Sequence, residues 1–355
     1  MPVRRIDLPD VPRRIAILKP SALGDIAHSL PVLTALRERF PRAHIAWIVN
    51  CAYAPILDGH PDLDDVIPFD RGAIGQGWLR GPLEFIRCLR EIRSLQFDVV
   101  IDLQGLLRTG LMTGATGASV RIGLASGREG STYFYTHCVD DQTGVTHAVD
   151  RYWRVIEALG DAPKVKTFRV PVLSTARAWV NEQLSRFARP WIVVGVGSRW
   201  LTKRWPPDRF AELVNSAQDR FGGTAILVGT PDEAKLARQA QGLLRGPAVQ
   251  LTGTTTLPQL VAVLAEADVM IANDTGPLHL AVALGRPVVA PYTCTLIDRT
   301  GPYGQLQHAV ATSVDCAGSY LKTCPHMKCM PELTPARLWP ALEMILQRWQ
   351  RQNAA

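Results

Sequence analysis

No apolar run in this chain approaches the roughly 18 residues that a membrane-spanning helix needs. The N-terminal MPVRRIDLPDVPRR has no apolar segment that could serve as a signal peptide, so a cytoplasmic protein is expected. Seven cysteines, an odd number scattered over 355 residues, do not make a disulfide framework, which agrees with a reducing compartment. The Walker pattern, the zinc-protease helix and the Gly-x-Ser-x-Gly elbow are all missing. Gly195-Val196-Gly197 could open a dinucleotide fingerprint, but the third glycine is absent, which argues against a nicotinamide cofactor. Disorder is excluded too, because 47% of the residues are hydrophobic, enough for two cores in a chain of this length. The net charge of +7 favours acidic partners such as phosphates, anionic lipid or nucleic acid, without choosing among them.

What is present is a repeated alternation of apolar run, polar turn and amphipathic segment. Its clearest instance is VMIANDTGPLHLAVALGRPVV at residues 269 to 289. The run ending at Ala272 suits a buried parallel strand, Asn273 to Gly276 is turn chemistry, and Pro277 fits the first turn of a helix, closed by Gly285 and Pro287. Backbone N–H groups at such a helix start, aided by the helix dipole, favour an anion and most often a phosphate. Asp274 and Thr275 are placed to bond hydroxyls or phosphate oxygens, and His279 lies near the anion-facing end. The competing reading is a helix capped by Asp274, with His279 a satisfied core histidine.

The same pattern opens the chain. Arg14 to Leu18 is a short strand, Lys19 to Asp25 a glycine-bearing turn, and Ile26, Leu30, Leu33 and Leu36 repeat at helical spacing until Pro41. His44 to Val49 is the next strand. Val66 to Phe69 is a further one, at a sheet edge because Pro68 lacks a ladder donor. Residues 72 to 96 read mostly as a basic amphipathic helix, with Leu83, Ile86, Leu89 and Ile92 on one side and Arg80, Arg87, Arg90 and Arg93 on another. Residues 97 to 103 form a buried strand leading into Gln104 to Arg108. A helix at 146 to 160 is followed by a proline-bearing linker, Asp161 to Pro171.

Beyond the linker, Trp191 to Val196, Ala225 to Val228 and the opening of the 269 to 289 stretch read as strands. Each is followed by a loop of small residues and one or two charged ones. A helix starts near Asp208, Thr256 and Gln259 form a capping box for another that carries Leu257, Leu260, Val261 and Leu264, and Pro335 to Gln350 is the last. Alternating strands and helices on both sides of the linker predict two doubly wound α/β domains, over 1–165 and 166–355, with ligands at the carboxyl ends of the strands. The set Asp25; Ser198, Arg199 and Lys203; Glu233; and Asp274 to His279 suits a nucleotide diphosphate with an attached group.

KPSALGDIAHSLP, DLQGLLRTG, KRWP, GTPDE and NDTGPLHL, in that order, resemble the successive motifs of glycosyltransferase family 9, the ADP-heptose lipopolysaccharide heptosyltransferases. HAVDRYWRVIEALG resembles a segment of the heptosyltransferase I branch, and the likeness spans nearly the whole chain. It implies a GT-B fold of two Rossmann-like domains facing across a cleft. It also implies an inverting mechanism with no metal and no cofactor, transferring heptose from ADP-heptose to a hydroxyl of the lipopolysaccharide inner core. The partners implied are the nucleotide sugar and an anionic glycolipid acceptor reached by peripheral contact with the inner face of the cell membrane, not a nucleic acid.

By the same resemblance Asp25 matches the general base, which takes the acceptor's proton as its oxygen attacks the anomeric carbon; the alternative is a helix cap. Lys203 matches the lysine that supports the donor diphosphate; the alternative is a solvated lysine. Ser198, Arg199 and Thr255 align with donor-contacting positions, the first two where relatives carry threonines. Glu233 matches a residue that binds the nucleoside, and Asp274, Thr275, Gly276 and His279 match the donor-binding motif. Arg80, Arg87, Arg90 and Arg93 are candidates for acceptor and membrane. Rival functions are a family 9 transferase with another sugar or acceptor, a non-catalytic nucleotide-sugar binding protein, and an epimerase. Cys316, Cys324, His326 and Cys329 lack a standard zinc spacing, Ser319 standing where relatives have a second cysteine, and are expected to be reduced structural thiols.

Overall fold

Apolar runs too short for buried helices and bounded by turn residues become strands covered on both faces. Residues 4–70, 80–142 and 146–354 are described by the computed structural model. In the first of its two units, Met1–Pro171, these strands are β1 (Arg14–Leu18), β2 (His44–Asn50), β3 (Asp65–Phe69), β4 (Val99–Asp102), β5 (Val120–Leu124) and β6 (His137–Val139). They form one sheet in the order β3-β2-β1-β4-β5-β6. The second unit, Val172–Ala355, holds β7 (Trp191–Gly195), β8 (Thr224–Leu227), β9 (Ala248–Gln250), β10 (Val269–Ala272), β11 (Val288–Tyr292) and β12 (Ala309–Ala311), ordered β12-β11-β10-β7-β8-β9. The division falls at the end of the Asp161–Pro171 stretch.

Every pairing in both sheets is parallel. Counted from its own first strand, each sheet has the doubly wound order 3-2-1-4-5-6, so the winding reverses once, between β1 and β4 and again between β7 and β10. Loops leaving two such strands diverge and open a crevice at their carboxyl ends. Leu18 pairs with Asp102 and Gly195 with Ala272, so the loops beginning at Lys19 and at Asn273 spring from these two points. β3 is an edge strand, as Pro68 requires.

Side chains bind the loops at these points. Asn273 is fully buried; its Oδ1 accepts from the Trp205 backbone N–H at 3.1 Å, and its Nδ2 donates to the carbonyls of Val196 at 3.0 Å and Gly197 at 3.2 Å. The loop after β10 is thereby fastened to the loop after β7. Trp205, also fully buried, donates through its indole N–H to the Leu333 carbonyl at 2.7 Å and meets Phe210 edge-on. In the first unit the link is lighter: the Ser21 N–H donates to Gln104 Oε1 at 3.3 Å.

The basic helix runs over Arg80–Ser94, and the rest of the predicted 72–96 segment before it lies outside the described residues, as does the Arg80 side chain. The expected apolar side needs correction. Ile92 is buried and Phe85, Cys88 and Leu89 pack on the core, but Leu83 and Ile86 are exposed. Residues spaced by three drift about 60° per step around an α-helix, so Leu83 ends up opposite Ile92. The face turned to water therefore mixes Leu83 and Ile86 with Arg87, Arg90 and Arg93, all exposed.

Asn273→Ala strands two carbonyls in a dry site and takes from the Trp205 N–H one of its two acceptors. We expect a loss of about 2–4 kcal/mol of stability, read as a lower denaturant midpoint of the second unit. A midpoint equal to wild type would show that the fastening carries no weight.

Candidate active site

In the first unit the site is built on Lys19, whose backbone continues β1 into a dry interior where only 2% of the residue is exposed. Its Nζ donates to the Leu103 carbonyl at 3.0 Å and to the Tyr152 hydroxyl at 2.9 Å. The Tyr152 hydroxyl donates in turn to Oδ1 of Asp25 at 3.2 Å, and the Ala22 N–H donates to Oδ2 at 3.2 Å. Asp25 stands in the first turn of the Leu23–Arg39 helix and is half-buried, so the capping role and an accessible carboxylate coexist. Burial works against the charge of Lys19, but the negative charge of Asp25, the Tyr152 hydroxyl and Asp102 outweigh it and hold the ammonium above its usual value. Burial, followed by the Asp25 charge, pushes the Tyr152 phenol up.

Below this group, Asp102 is fully buried at the end of β4 and accepts from the N–H groups of Gln104 and Gly105 and from the Tyr135 hydroxyl. Burial raises its carboxyl despite these donors. Gly105, at a φ of 66°, makes the turn that brings the Gln104 side chain to Ser21.

In the second unit the buried group is the carboxylate. Asp274 Oδ2 accepts from Lys203 Nζ at 2.6 Å, from Thr295 Oγ1 at 2.7 Å and from Thr300 Oγ1 at 3.3 Å, while Oδ1 lies 3.0 Å from His279 Nε2. Burial opposes ionisation, yet the hydrogen bond from His279 and the Lys203 charge hold this carboxyl well below the usual range. Lys203 remains partly accessible, with its Nζ 4.7 Å from the centroid of the Trp200 ring. The Thr275 hydroxyl donates to the Asn273 carbonyl at 3.2 Å, and the helix Gly276–Ala283 starts beside it. Free N–H groups at a helix start and an ammonium are both groups that can hold an anion.

Glu233 closes the loop after β8. A Cβ at Gly197 would fall 2.0 Å from the Glu233 carboxyl carbon, and one at Gly229 2.7 Å from its Oε2, so the two glycines provide the space in which that carboxylate lies. The Thr230 N–H holds Oε2 at 2.8 Å. Ser198 is buried, its carbonyl accepting from Arg204 Nε, while Arg199 is exposed and Thr255 half-buried in the loop after β9.

The family model described as glycosyltransferase family 9 (heptosyltransferase) matches residues 85–330. The chain belongs to glycosyltransferase family 9. It is 29% identical to lipopolysaccharide heptosyltransferase 1 of Pseudomonas aeruginosa over 94% of this chain and 98% of that protein. Among solved structures it resembles the family 9 glycosyl transferase of Veillonella parvula, with a TM-score of 0.81 at 23% identity over 95% and 97% of the two chains. It also resembles E. coli heptosyltransferase WaaC with ADP, with a TM-score of 0.73 at 26% identity over 94% and 99%. The fold is thus the GT-B type with two Rossmann-like domains, and the protein is a glycosyltransferase.

The structure of this family 9 chain brings Lys203, Asp274, Thr275, Gly276 and His279 together, puts Glu233 against Gly197, and keeps Asp25 in the first unit. The sequence reading missed Tyr152, Asn273, Thr295 and Thr300 as site residues. Asn273 could have been found from its place in the turn; Thr295 and Thr300 gave no signal, being more than twenty residues from the carboxylate they hold. Cys324 is half-buried and its thiol is lowered by the backbone N–H groups of Met327 and His326, whereas burial raises Cys329. Among the described residues all cysteines are free, and no group of three or more Cys, His, Asp or Glu side chains is arranged to hold a metal.

Asp274→Asn removes the charge that Lys203 pairs with, and breaking a buried pair costs about 3–5 kcal/mol. Because the folded carboxyl titrates below its usual value of 3.8, its contribution is complete above that pH and lost only as pH falls through the lower folded value. Denaturant unfolding should therefore show a gap between wild type and variant that is flat from about pH 7 to about pH 5 and narrows only in stronger acid. A gap that closes near neutrality would assign the stabilisation to another group.

Proposed function

We propose that this transferase is inverting and moves a heptose from ADP-heptose to a hydroxyl of the lipopolysaccharide inner core, at the inner face of the cell membrane. The observation that carries this is the pairing of chemistries at the two winding reversals: a half-buried carboxylate, Asp25, in one unit, and a lysine fixed on a buried carboxylate beside a helix start in the other. The relatives named above, a lipopolysaccharide heptosyltransferase and a heptosyltransferase solved with ADP, support the choice of donor and acceptor.

In this reading Asp25 takes the proton of the acceptor hydroxyl as its oxygen attacks the anomeric carbon. The bond from that carbon to the diphosphate breaks on the opposite side, and ADP leaves with the electron pair. Lys203 and the N–H groups at Gly276 carry the developing charge that a metal carries in other transferases. Glu233 accepts from the ribose hydroxyls, with Ser198, Arg199, Thr255 and Thr275 lining the donor.

If so, ADP release depends on added acceptor, and Asp25→Asn cuts turnover by a factor on the order of 100 or more while donor affinity stays near wild type. Acceptor-independent turnover would point to an epimerase, and ligand binding without ADP release to a non-catalytic protein.

The membrane side of the proposal rests on the Arg80–Ser94 helix. Its exposed face joins Leu83 and Ile86 to Arg87, Arg90 and Arg93, which suits insertion of apolar groups into an interface whose anionic headgroups meet the arginines. No helix among the described residues is long and apolar enough to cross a membrane. Arg80, at the start of the same helix, belongs to the proposed set. Replacing Arg87, Arg90 and Arg93 by Glu should weaken binding to anionic liposomes and raise the acceptor's KM without moving donor affinity, and the wild-type attraction should fade with salt. Unchanged liposome binding would reduce the helix to an ordinary surface face.

A further inference from the structure

We infer that Tyr152, oriented by Lys19, is a positioning residue that fixes the Asp25 carboxylate for proton abstraction; this rests on the reading of Asp25 as the base. Neither residue belongs to the set that the sequence motifs mark as catalytic. Tyr152 comes from the helix Ala148–Leu159, which packs along the Leu23–Arg39 helix that bears Asp25, and only 5% of Tyr152 is exposed.

The direction of the hydrogen-bond chain is forced by its members. An ammonium can only donate, and a phenol has a single proton. Lys19 Nζ donates to the Tyr152 oxygen at 2.9 Å, so the phenolic proton is turned to the 3.2 Å contact with Asp25 Oδ1. Lys19 is itself held by the Leu103 carbonyl and lies 4.6 Å from the centroid of the Tyr152 ring. The Trp47 indole donates to the Lys19 carbonyl, which ties the same residue to β2. With the Ala22 N–H on Oδ2, each carboxylate oxygen receives one fixed donor, so the carboxylate plane cannot turn and one lone pair on each oxygen stays open for the acceptor.

A buried tyrosine that served the core alone would need one partner for its hydroxyl. Tyr152 has two, and the second is the carboxylate at the winding reversal. During transfer the acceptor's O–H bond breaks and its proton goes to Asp25, while the oxygen forms the bond to the anomeric carbon and ADP leaves with the electron pair. Tyr152 and Lys19 keep their protons throughout. A carboxylate aligned before the reaction loses no reorganisation energy when the acceptor arrives.

The test is Tyr152→Phe in the full chain, alone and in the Asp25→Asn background, with ADP release followed at saturating ADP-heptose and acceptor. The expected result for the single variant is a 10- to 100-fold fall in kcat, about what one hydrogen bond to a charged group is worth, with donor KM unchanged and the melting temperature lowered only by what the loss of one of the two Lys19 partners costs. In the Asp25→Asn background the same change should cost nothing further, because the group it positions is gone. Lys19→Gln, which keeps much of the length but not the charge that turns the phenol, should reproduce part of the loss and gives an independent reading if Tyr152→Phe folds poorly. A kcat within twofold of wild type for Tyr152→Phe, or a loss that multiplies with that of Asp25→Asn, would overturn the positioning role. A raised donor KM with a lowered melting temperature would assign Tyr152 to structure alone. Wild-type turnover in Asp25→Asn itself would instead remove the base, and so separates failure of the underlying reading from failure of this one.

Discussion

A parallel sheet wound in both directions must reverse once, and at that point no helix covers the ends of the two central strands. Both candidate residue sets in this chain stand at such a reversal, one in each unit. β1 and β4 deliver Lys19 and Asp102 to one reversal; β7 and β10 deliver the loop of Lys203 and that of Asp274 to the other. Parallel strands covered on both faces supply rigid supports, and the loops that leave them can be polar because their ends open to water.

The two reversals are organised by opposite charges. In the first unit a buried ammonium, Lys19, orients a tyrosine and through it the accessible carboxylate of Asp25. In the second a buried carboxylate, Asp274, held by two threonine hydroxyls and a histidine, anchors the accessible ammonium of Lys203. An isolated charge in either interior would cost far more than the surrounding packing returns, so each is stable only because its partners are complete. In both units the dry member of the set fixes the geometry and the wetter member stays accessible.

Central strands were legible in the sequence because β1, β4, β7 and β10 are continuous apolar runs next to glycine-bearing turns, and β2 is an apolar run after Pro41. Of the strands it left unread, β6, β9 and β12 are three residues each and exist because a neighbour's edge offers hydrogen bonds, not because of their own pattern. The motifs led to Asp25, Lys203, Glu233 and Asp274, since each lies between the carboxyl end of a strand and the first turn of the helix that follows it. Tyr152, Thr295 and Thr300 were not legible, because their roles depend on which helix or loop packs next to the site, and that is a property of the tertiary fold. The basic helix was read with its apolar side too wide, since a spacing of three resembles a helical stripe over one turn but rotates away over three.

The close pairing of Lys203 with Asp274 bears on how a leaving group is stabilised. The ammonium is already ordered at 2.6 Å from a carboxylate, with Trp200 along one side, so little side-chain entropy remains to be lost when an anion arrives. The same pairing reduces the net charge at the site, and in the proposed reading the attraction for a diphosphate comes from the N–H groups at the start of the Gly276–Ala283 helix as well as from Lys203. Asn273 stands at the root of the loop that leads into this helix, and its buried amide holds that loop to the loop after β7. Preorganised dipoles at a helix start stabilise charge where it develops without having to rotate into place, so an uncharged amide that holds the loop still serves the same end as the ordered lysine beside it.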